Sequence, residues 1–361
     1  MTQGRTGKFV TSKSGGKIVK AYLPPPLPPD PPLDLSPRYA LIDKANQSLG
    51  RLDGMSALLP STSLFLYLYL QKEALLSAQI EGTQSSFSDL LLFEADQIPR
   101  ISKDDVEEVS NYVAAINHGL RRIEGGFPLS LRLLREIHEI LLRGGRGADK
   151  QPGEFRRSQN WVGGTRPGNA AFVPPPPEQM NEALGLFEKF LHAEGGLPLL
   201  VRCALAHVQF ETIHPFLDGN GRVGRLLITL MLCNAQTLKS PILYLSLFLK
   251  ANRSKYYELL NRVRFEGVWE EWLDFFLDGV IEVADQATDA AKRILSLFDA
   301  DRSRIKELGR IASTALRVHE HFQRSPITAI GIAADVTGLS YPSVAKAIHR
   351  MVELGVLKET T

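Results

Sequence analysis

The chain has 361 residues, of which 44% are hydrophobic and 23% are charged, and its formal net charge is only +2. These values suit a globular chain with one sizeable core and a smaller domain, and the low net charge excludes a general affinity for nucleic acid or membranes. The two cysteines, Cys203 and Cys233, both lie in apolar helical segments, which excludes a disulfide framework and indicates a reducing compartment.

Residues 1–38 are predicted to form an extended arm. The segment Met1–Lys8 lacks the apolar region of a signal peptide, and no stretch offers the ~20 uninterrupted apolar residues of a membrane span. We therefore expect a cytoplasmic protein that does not use a membrane as its partner. Residues 24–32 are almost all proline, so they cannot be helical and favour a polyproline-type arm or linker.

A helix is predicted from about Leu64 to Glu81, after the N-cap candidates Ser61–Ser63 and with Gly82 as its terminating residue. Ser77 and Glu81 then share a face, because they are four residues apart. A carboxylate in a last helical turn meets the negative end of the helix dipole. Glu81 is therefore expected either to be solvated or to face a cation, for which Arg225 is the candidate.

A β-hairpin is predicted further along the chain. Residues 153–164 have short strand character, Arg166–Asn169 forms a turn, and residues 171–174 return before Pro174–Pro177 ends any ladder. A plain surface hairpin remains the alternative to a functional one.

The most informative segment is His214–Arg225, which reads His-Pro-Phe-Leu-Asp-Gly-Asn-Gly-Arg-Val-Gly-Arg. Gly219 and Gly221 permit a bend whose backbone N–H groups converge. The apolar run 223–232 predicts a buried helix, which places the bend at a helix N-terminus that favours an anion, and phosphate above all.

The charged residues of the segment suit the same guest. Arg222 and Arg225, three residues apart, bring planar guanidinium groups to one side of the first turn, where they can bind phosphate oxygens. Asp218 is a hard oxygen ligand suited to Mg²⁺ beside phosphates. His214 can accept a proton near neutral pH.

With every fixed position filled, this segment resembles the signature of the Fic-domain family, His-x-Phe-x-(Asp or Glu)-Gly-Asn-Gly-Arg-x-x-Arg. The resemblance implies an all-helical enzyme that transfers AMP from ATP, with Mg²⁺, to a hydroxyl of a target protein. It assigns the general base to His214, the Mg²⁺ ligand to Asp218 and the γ-phosphate to Arg225. The remaining predicted nucleotide-binding positions of the segment are Gly219, Asn220, Gly221, Arg222, Val223 and Gly224.

Two further segments resemble parts of this family. Ser77-Ala78-Gln79-Ile80-Glu81-Gly82 is similar to the inhibitory motif (Ser or Thr)-x-x-x-Glu-(Gly or Asn), which implies that Glu81 occupies the arginine meant for the γ-phosphate. The hairpin at 153–174 then becomes a flap that binds an extended target segment by strand addition. On the helix after the signature, Tyr257 and Asn261 are candidates for the adenine pocket, although core packing is the alternative. His207, before the signature, is expected to be structural.

The last residues resemble a winged-helix module. Helices are predicted over 328–338 and 341–354, with a tight turn between them and a first wing strand over 355–358. Tyr341, Ser343, Lys346 and Arg350 would face a DNA groove. Few basic residues and the lack of a second wing strand before Thr361 argue against DNA binding.

We therefore expect an all-α fold, namely a Fic-type helical bundle with a small β-hairpin flap and a C-terminal helix-turn-helix module. The predicted divisions are an arm at 1–38, an N-terminal helical region at 39–125, a catalytic core at 126–282, a connector at 283–324 and a winged-helix-like module at 325–361. The expected function is that of an autoinhibited protein adenylyltransferase.

Two other functions remain open. One is removal of AMP from modified proteins by the same site, and the other is DNA-binding regulation by a nucleotide sensor. A metal site built from His214 and Asp218 is disfavoured, because no further His or Cys stands at ligand spacing. The target protein, the nucleotide donor and a homodimeric state are left undecided.

Overall fold

The computed structural model describes residues 4–14, 17–58, 62–82, 103–144, 146–193 and 195–359, except for the side chains of residues 13, 14, 17, 62–68 and 103–106. The predicted cap Ser61 and the segment Met1–Gln3 lie outside the described residues. Within the described ranges the fold is helical, as predicted, and no helix there is both long and apolar enough to cross a bilayer. The helices are α1 (Tyr39–Ser56), α2 (Thr62–Ile80), α3 (Lys103–Glu124), α4 (Leu131–Leu141), α5 (Pro177–His192), α6 (Leu199–Ile213), α7 (Asn220–Asn234), α8 (Ser246–Ala251), α9 (Arg253–Glu266), α10 (Trp269–Lys306), α11 (Ala312–Phe322), α12 (Ile330–Thr337) and α13 (Tyr341–Glu353).

Helices α6 and α7 lie at the centre of the fold. Almost all of their residues are buried, which is the pattern of helices surrounded by other helices. They pack directly against each other, and α6 ends at Ile213 while α7 begins at Asn220. The loop of residues 214–219 therefore lies between two rigid, buried helices.

Helix α2 brings a distant part of the chain to this loop. It packs against α3, α8 and α7. The helix predicted over 64–81 is observed over Thr62–Ile80, so Glu81 stands in the turn that follows, and Gly82 has a φ of 109°. That positive φ is the reason a glycine suits the end of this helix.

The N-terminal segment contains a β-hairpin that the sequence did not lead us to expect. β1 (Lys8–Ser14) and β2 (Lys17–Leu23) pair antiparallel, with Lys8 opposite Leu23 and Ser14 opposite Lys17. Residues 1–38 are predicted only as an extended arm, which fits the proline-rich stretch but omits the hairpin. The missed signal is the Gly15-Gly16 pair between two runs rich in β-branched residues.

This N-terminal segment contacts helices α6 and α10. Arg5 forms an ion pair with Glu270 of α10 at 2.7 Å, and the side-chain amide of Gln209 on α6 donates to the carbonyl of Pro25 at 2.8 Å. The arm is thus bound to both helices, and it is part of the folded unit.

The flap predicted over residues 153–174 is present in reduced form. Val162 and Phe172 exchange both backbone hydrogen bonds, at 2.8 and 3.1 Å, and the chain between them turns at Pro167–Asn169. Regular strands do not form because Gly163-Gly164 takes φ values of 68° and 70°, outside the extended region. The predicted hairpin is therefore a single bridge around a tight turn.

One side of the flap is covered by β2. The backbone N–H of Tyr22 donates to the carbonyl of Val173 at 2.8 Å. The ring of Tyr22 also packs against Phe172 and Phe265, at centroid distances of 5.9 and 5.6 Å. Only the other side of the flap, at residues 160–164, is left without a neighbouring strand among the described residues.

The C-terminal helices have a core of their own. The predicted helices at 328–338 and 341–354 are observed as α12 and α13, separated by Gly338 with a φ of 63°. The connector is helical as expected, apart from a break near Gly309 between α10 and α11. The second core consists of Ile305, Ala315, Val318, Ala333, Ala334, Val344, Ala347 and Met351.

The prediction of a wing strand over residues 355–358 is wrong. The backbone N–H groups of Val356 and Leu357 both donate to the carbonyl of Met351, at 2.9 and 3.2 Å. This arrangement closes the end of α13 and packs the two side chains against the second core. Val356 and Leu357 therefore fold back onto the second core and do not extend as a strand. A winged-helix module is not established.

The four side chains predicted to face a groove, Tyr341, Ser343, Lys346 and Arg350, are all exposed on α13. Arg350 is paired with Glu353 on the same helix. The pairing lowers the positive charge that this face presents.

Candidate active site

The loop of residues 214–219 is held by hydrogen bonds at both of its ends. His214 ends α6 with a left-handed φ of 50°, and its N–H donates to the carbonyl of Phe210 at 2.9 Å. The side chain of Asn220 accepts from the N–H of Phe216 at 2.8 Å and donates to its carbonyl at 2.9 Å. Asn220 therefore closes the loop, and its amide group is engaged in structure.

The imidazole of His214 is neutral at physiological pH. Burial, assisted by the nearby charges of Arg156 and Arg264, lowers the pKa of His214 to about 3. Its Nδ1 atom has no hydrogen-bond partner among the described residues. A neutral ring is able to accept a proton.

Arg156, which the sequence did not single out, holds this histidine in place. Its guanidinium donates to the carbonyl of His214 at 2.9 Å, of Ile213 at 3.4 Å and of Ser158 at 3.1 Å, and also to that of Pro175. The side chain is buried, and burial lowers its pKa only to about 10, so it remains charged. Since the C-terminal carbonyls of α6 carry the negative end of the helix dipole, a buried cation is favoured there.

Arg222 is turned toward acidic side chains. Its Nη1 lies 2.5 Å from Oε1 of Glu108 on α3, and its Nη2 lies 3.5 Å from Oδ1 of Asp218. The side chains of Arg222 and Glu108 are only 3% and 4% exposed. Glu108, absent from the predicted site, therefore balances the charge of the first arginine.

Asp218 lies at the mouth of the site. Its side chain is 39% exposed, and Oδ1 accepts from the N–H of Gly219 at 2.6 Å. Its backbone carbonyl accepts from Nε2 of His138 at 3.0 Å. Asp218 is therefore fixed by its backbone while its carboxylate reaches solvent.

His138 on α4 is a second residue that the sequence did not reveal. Its Nδ1 accepts from the N–H of Gly153 at 2.9 Å, which leaves Nε2 as the donor to Asp218. Its ring stacks on Phe216 at a centroid distance of 3.7 Å. Burial lowers the pKa of His138 to about 4, so it is neutral and acts as a bridge between α4, the flap and the loop.

The ion pair predicted between Glu81 and Arg225 is present. Nη2 of Arg225 lies 2.9 Å from Oε1 of Glu81 and 3.0 Å from the carbonyl of Ser77, while Nε donates to Oγ of Ser77 at 2.9 Å. The Arg225 side chain is 2% exposed and that of Glu81 is 34% exposed. The guanidinium is thus engaged by α2 and the turn after it.

The Glu81 carboxylate also lies over the glycine turn. A Cβ atom on Gly221 would stand 2.2 Å from Oε1 of Glu81 and 3.1 Å from Nη1 of Arg225. Gly221 lies in the first turn of α7, where backbone N–H groups and the dipole favour an anion. An anion of this protein therefore occupies the place expected for a phosphate.

The other predicted positions contribute less directly. Val223 is fully buried, and the carbonyl of Gly224 accepts from Nδ1 of His207 at 2.9 Å, so His207 is structural. Tyr257 is 37% exposed on α9, one turn before Asn261, whose side-chain oxygen accepts from Arg264 at 3.0 Å.

One oxygen atom of a buried carboxyl group near the site has no hydrogen bond in the part of the chain that the structure describes. Oε1 of Glu211 on α6 has no hydrogen bond among the described residues and would touch a Cβ on Gly224 at 2.8 Å. Burial raises the pKa of Glu211 to about 7, against the opposing effect of Arg225. This carboxyl group is accordingly poised to titrate near neutral pH.

Taken together, these features define an all-helical protein with an anion site at the N-terminus of a buried helix, flanked by a neutral histidine and an exposed carboxylate. Residues 39–121 match the family described as "Fic/DOC family N-terminal", and residues 128–232 match "Fic/DOC family". The chain belongs to the Fic/DOC family.

Named relatives agree with this membership. The chain is 29% identical over 246 residues to "Protein adenylyltransferase Fic" of Culex quinquefasciatus, covering 67% of this chain and 45% of that protein. It is 30% identical over 231 residues to the protein of the same name in Drosophila willistoni, covering 62% and 43%. The matched regions thus span less than half the length of these curated relatives.

The fold is also shared with a solved structure. A Fic family protein from Desulfovibrio desulfuricans superposes with a TM-score of 0.59 at 21% identity, covering 69% of this chain and 74% of that one. This likeness supports the Fic fold assigned from the sequence.

Proposed function

We propose that this chain is an autoinhibited protein adenylyltransferase, which transfers AMP from ATP to a Ser, Thr or Tyr hydroxyl of a target protein. The observation that carries the proposal is the position of the Glu81 carboxylate, on Arg225 and over Gly221 at the start of α7. An internal carboxylate at a helix N-terminus marks a site built for an anion. The named relatives are adenylyltransferases, which agrees with a nucleotide as that anion.

The chain would bind the polyphosphate through the start of α7. The turn Gly219–Gly221 would cradle the α- and β-phosphates through its backbone N–H groups, that of Gly219 once Asp218 has released it to bind Mg²⁺. Arg225 would bind the γ-phosphate once Glu81 has left, and Arg222 would assist from its position between Glu108 and Asp218. Tyr257 and Asn261 remain the candidates for the adenine side of the site.

His214 would act as the general base. The target hydroxyl oxygen attacks the α-phosphorus, its proton passes to His214, and the bond from that phosphorus to the bridging oxygen breaks with release of pyrophosphate. The ring is neutral and held by Arg156, so it is ready to accept the proton. The negative charge of a bound polyphosphate would raise the pKa of His214 toward neutrality and make it a better base.

Asp218 fits the role of Mg²⁺ ligand. Its carboxylate is 39% exposed and offers hard oxygen atoms beside the predicted phosphate site. Across the described ranges no cluster of three or more His, Cys, Asp or Glu residues could hold a metal by itself. This fits Mg²⁺, which proteins often hold through one carboxylate together with substrate phosphates and water, and which would neutralise phosphate charge there.

Autoinhibition follows from competition for Arg225. While Glu81 holds the guanidinium, a γ-phosphate would meet a carboxylate of like charge and lose its main partner. ATP would then bind weakly or in a pose that does not present the α-phosphorus to the target.

The target would dock on the flap as an extended segment. One side of the flap is already paired with β2, so strand addition is expected at residues 160–164, where Trp161 is 37% exposed.

Cys203 and Cys233 are buried free thiols, which supports a reducing compartment such as the cytoplasm.

The test is intact-protein and peptide mass spectrometry after incubation with ATP and Mg²⁺ in a lysate. Glu81→Gly should show a stronger AMP-sized mass gain than wild type, on itself or on a target, and His214→Ala should show none. Gln79→Gly is the control for added backbone freedom near Glu81, because it introduces a glycine two residues earlier, in the last turn of α2, and leaves the carboxylate on Arg225. No adduct in any variant, with ATP binding intact, would contradict the proposal.

The same assay separates the reverse reaction. The Glu81 side chain is 34% exposed while paired, so it could also orient a water molecule at the phosphate site. Loss of AMP from a previously modified target, dependent on Glu81, would identify removal as the activity.

A further inference from the structure

Helix α2 carries three polar residues on the face that meets the catalytic core. Glu73, Ser77 and Glu81 are spaced four residues apart, so they lie along one side of the helix and its following turn. Ser77 and Glu81 form the inhibitory contact with Arg225. Glu73 lies two turns earlier, outside the inhibitory motif, and has a separate set of partners.

The Glu73 carboxylate is buried and receives several hydrogen bonds. Oε2 accepts from the backbone N–H of Ser246 at 3.1 Å, and Oε1 accepts from the Ser246 hydroxyl and from the Tyr112 hydroxyl, the latter at 3.2 Å. The residue is 6% exposed. A carboxyl group is seldom buried in this way unless its hydrogen bonds are specific, because burial without partners is costly.

The same polar contacts lead to Arg225. The Tyr112 hydroxyl, on α3, also interacts with the side chain of Ser77, which in turn accepts from Nε of Arg225. Burial raises the pKa of Glu73 to about 7, so its carboxyl group is partly protonated near neutral pH and acts mainly through hydrogen bonds.

Much of the remaining α2 interface is apolar and sets the position of the helix less strictly, although Gln79 near its end also accepts from Nζ of Lys250 on α8 at 2.5 Å. Leu70, Leu75, Leu76 and Ile80 are buried, and apolar contacts are non-directional. A slip of one residue along α2 would turn its side chains by roughly 100° and shift them by about 1.5 Å. Hydrogen bonds with fixed partners prevent such a slip.

We propose that Glu73 is a positioning residue for the inhibitory glutamate. Docked on Ser246 and Tyr112, it fixes the rotation and height of α2, so that Glu81, about 12 Å further along the helix axis, meets Arg225. This inference rests on the proposed function, because it concerns the inhibition of that same site.

The anchor is separate from the catalytic residues. Ser246 is the first residue of α8, a helix that contributes none of the residues assigned to chemistry or to phosphate binding. The anchor can therefore be broken without replacing any residue of the loop at 214–219 or Arg225 itself.

The test compares Glu73→Ala with Glu73→Gln in wild type and in Glu81→Gly. Two quantities are measured: ATP binding by calorimetry, and AMP transfer by mass spectrometry. In wild type, Glu73→Ala should raise the ATP affinity and the rate of AMP transfer on the order of tenfold each. This factor corresponds to about 1.4 kcal/mol of free energy lost from the docking of α2. Glu73→Ala should raise neither quantity in Glu81→Gly, where no glutamate remains to be positioned.

Glu73→Gln provides the rescue, because its amide oxygen can still accept from Ser246, and it should stay close to wild type. Leu49→Ala, a buried substitution in α1, controls for loss of stability and should lower the melting temperature without raising ATP binding.

The outcomes separate the two proposals. Activation by Glu81→Gly but not by Glu73→Ala would overturn the positioning role and leave autoinhibition standing. Equal activation by Glu73→Ala in both backgrounds would also overturn it, since the effect would not pass through Glu81. No gain in ATP binding or AMP transfer in either Glu81→Gly or Glu73→Ala would contradict both the autoinhibition and the positioning role of Glu73.

Discussion

Replacement of Arg156 by lysine is expected to damage the active-site loop while preserving charge. The arginine is buried and donates to four backbone carbonyls, two of which belong to Ile213 and His214 at the end of α6. A lysine ammonium carries its three donors on one atom and cannot reproduce the fork of a guanidinium.

The size of the effect follows from those contacts. Hydrogen bonds to a charged group contribute ~1.5–3 kcal/mol each. Loss of two of the four, at the lower end of this range, gives about 3 kcal/mol. For a chain of this size the melting temperature would fall by roughly 4 °C. A displacement of His214 on the order of 1 Å would lower the transfer rate by about 10²-fold.

The assay pairs thermal unfolding with AMP transfer, the latter measured in the Glu81→Gly background so that activity is visible. Arg157→Lys is the matched control, because that neighbouring side chain is 84% exposed and lies 3.8 Å from Glu154. The control should stay within about 0.5 kcal/mol of the parent. Arg156→Lys with unchanged transfer and an unchanged melting temperature would refute the role given to this arginine.

Three further changes follow from the same geometry. Gly221→Ala should abolish ATP binding even though it displaces Glu81, because its Cβ would occupy the phosphate position, 2.2 Å from the present carboxylate oxygen; calorimetry that finds ATP binding at the Glu81→Gly level would contradict this. His138→Ala should leave the N–H of Gly153 without its partner and cost about 2–4 kcal/mol, read as a lower denaturation midpoint, and a midpoint equal to that of wild type would disprove the bridging role. Glu211→Gln should become more stable than wild type as the pH rises from 5 to 8. Burial raises the carboxyl pKa from 4.5 to about 7, so the folded state keeps a proton that the unfolded state releases, and wild type loses about 2.5 kcal/mol across that interval. Parallel melting curves of the two proteins at both pH values would show that Glu211 does not titrate in this way.

The loop and the helices around it could be predicted because their signals are local. The segment 214–225 is continuous, and the apolar run after it has the length of a buried helix. The pairing of Glu81 with Arg225 could be anticipated because a carboxylate at a helix C-terminus needs a cation. For the loop a few neighbouring residues determine the outcome, whereas the choice of Arg225, 144 residues from Glu81, also depends on the resemblance to the inhibitory motif.

Glu108, His138 and Arg156 could not be found in the same way. Each acts on the loop from a separate segment, and nothing in its own neighbourhood marks it as different from a surface residue. Their importance comes from burial against backbone carbonyls or charges of distant residues, which only the tertiary fold creates.

The two errors in the β-structure have physical causes as well. The short strand expected after Leu354 does not form, because Val356 and Leu357 bury their side chains against the second core by folding back on Met351. The hairpin at the N-terminus is not predicted because its two strands are short and lack a regular alternation of apolar and polar residues, while the adjoining proline-rich stretch indicates an extended arm.

The contacts of the N-terminal segment have a practical consequence for the design of truncated forms of this protein. Family similarity begins at residue 39, and a fragment cut there would lose β2 and the chain that covers Trp269, which is 2% exposed in the intact protein. It would also uncover Phe172 of the flap, now packed against Tyr22. We therefore expect a fragment that begins at residue 39 to aggregate more readily than the intact chain, because it exposes apolar side chains that the N-terminal segment covers.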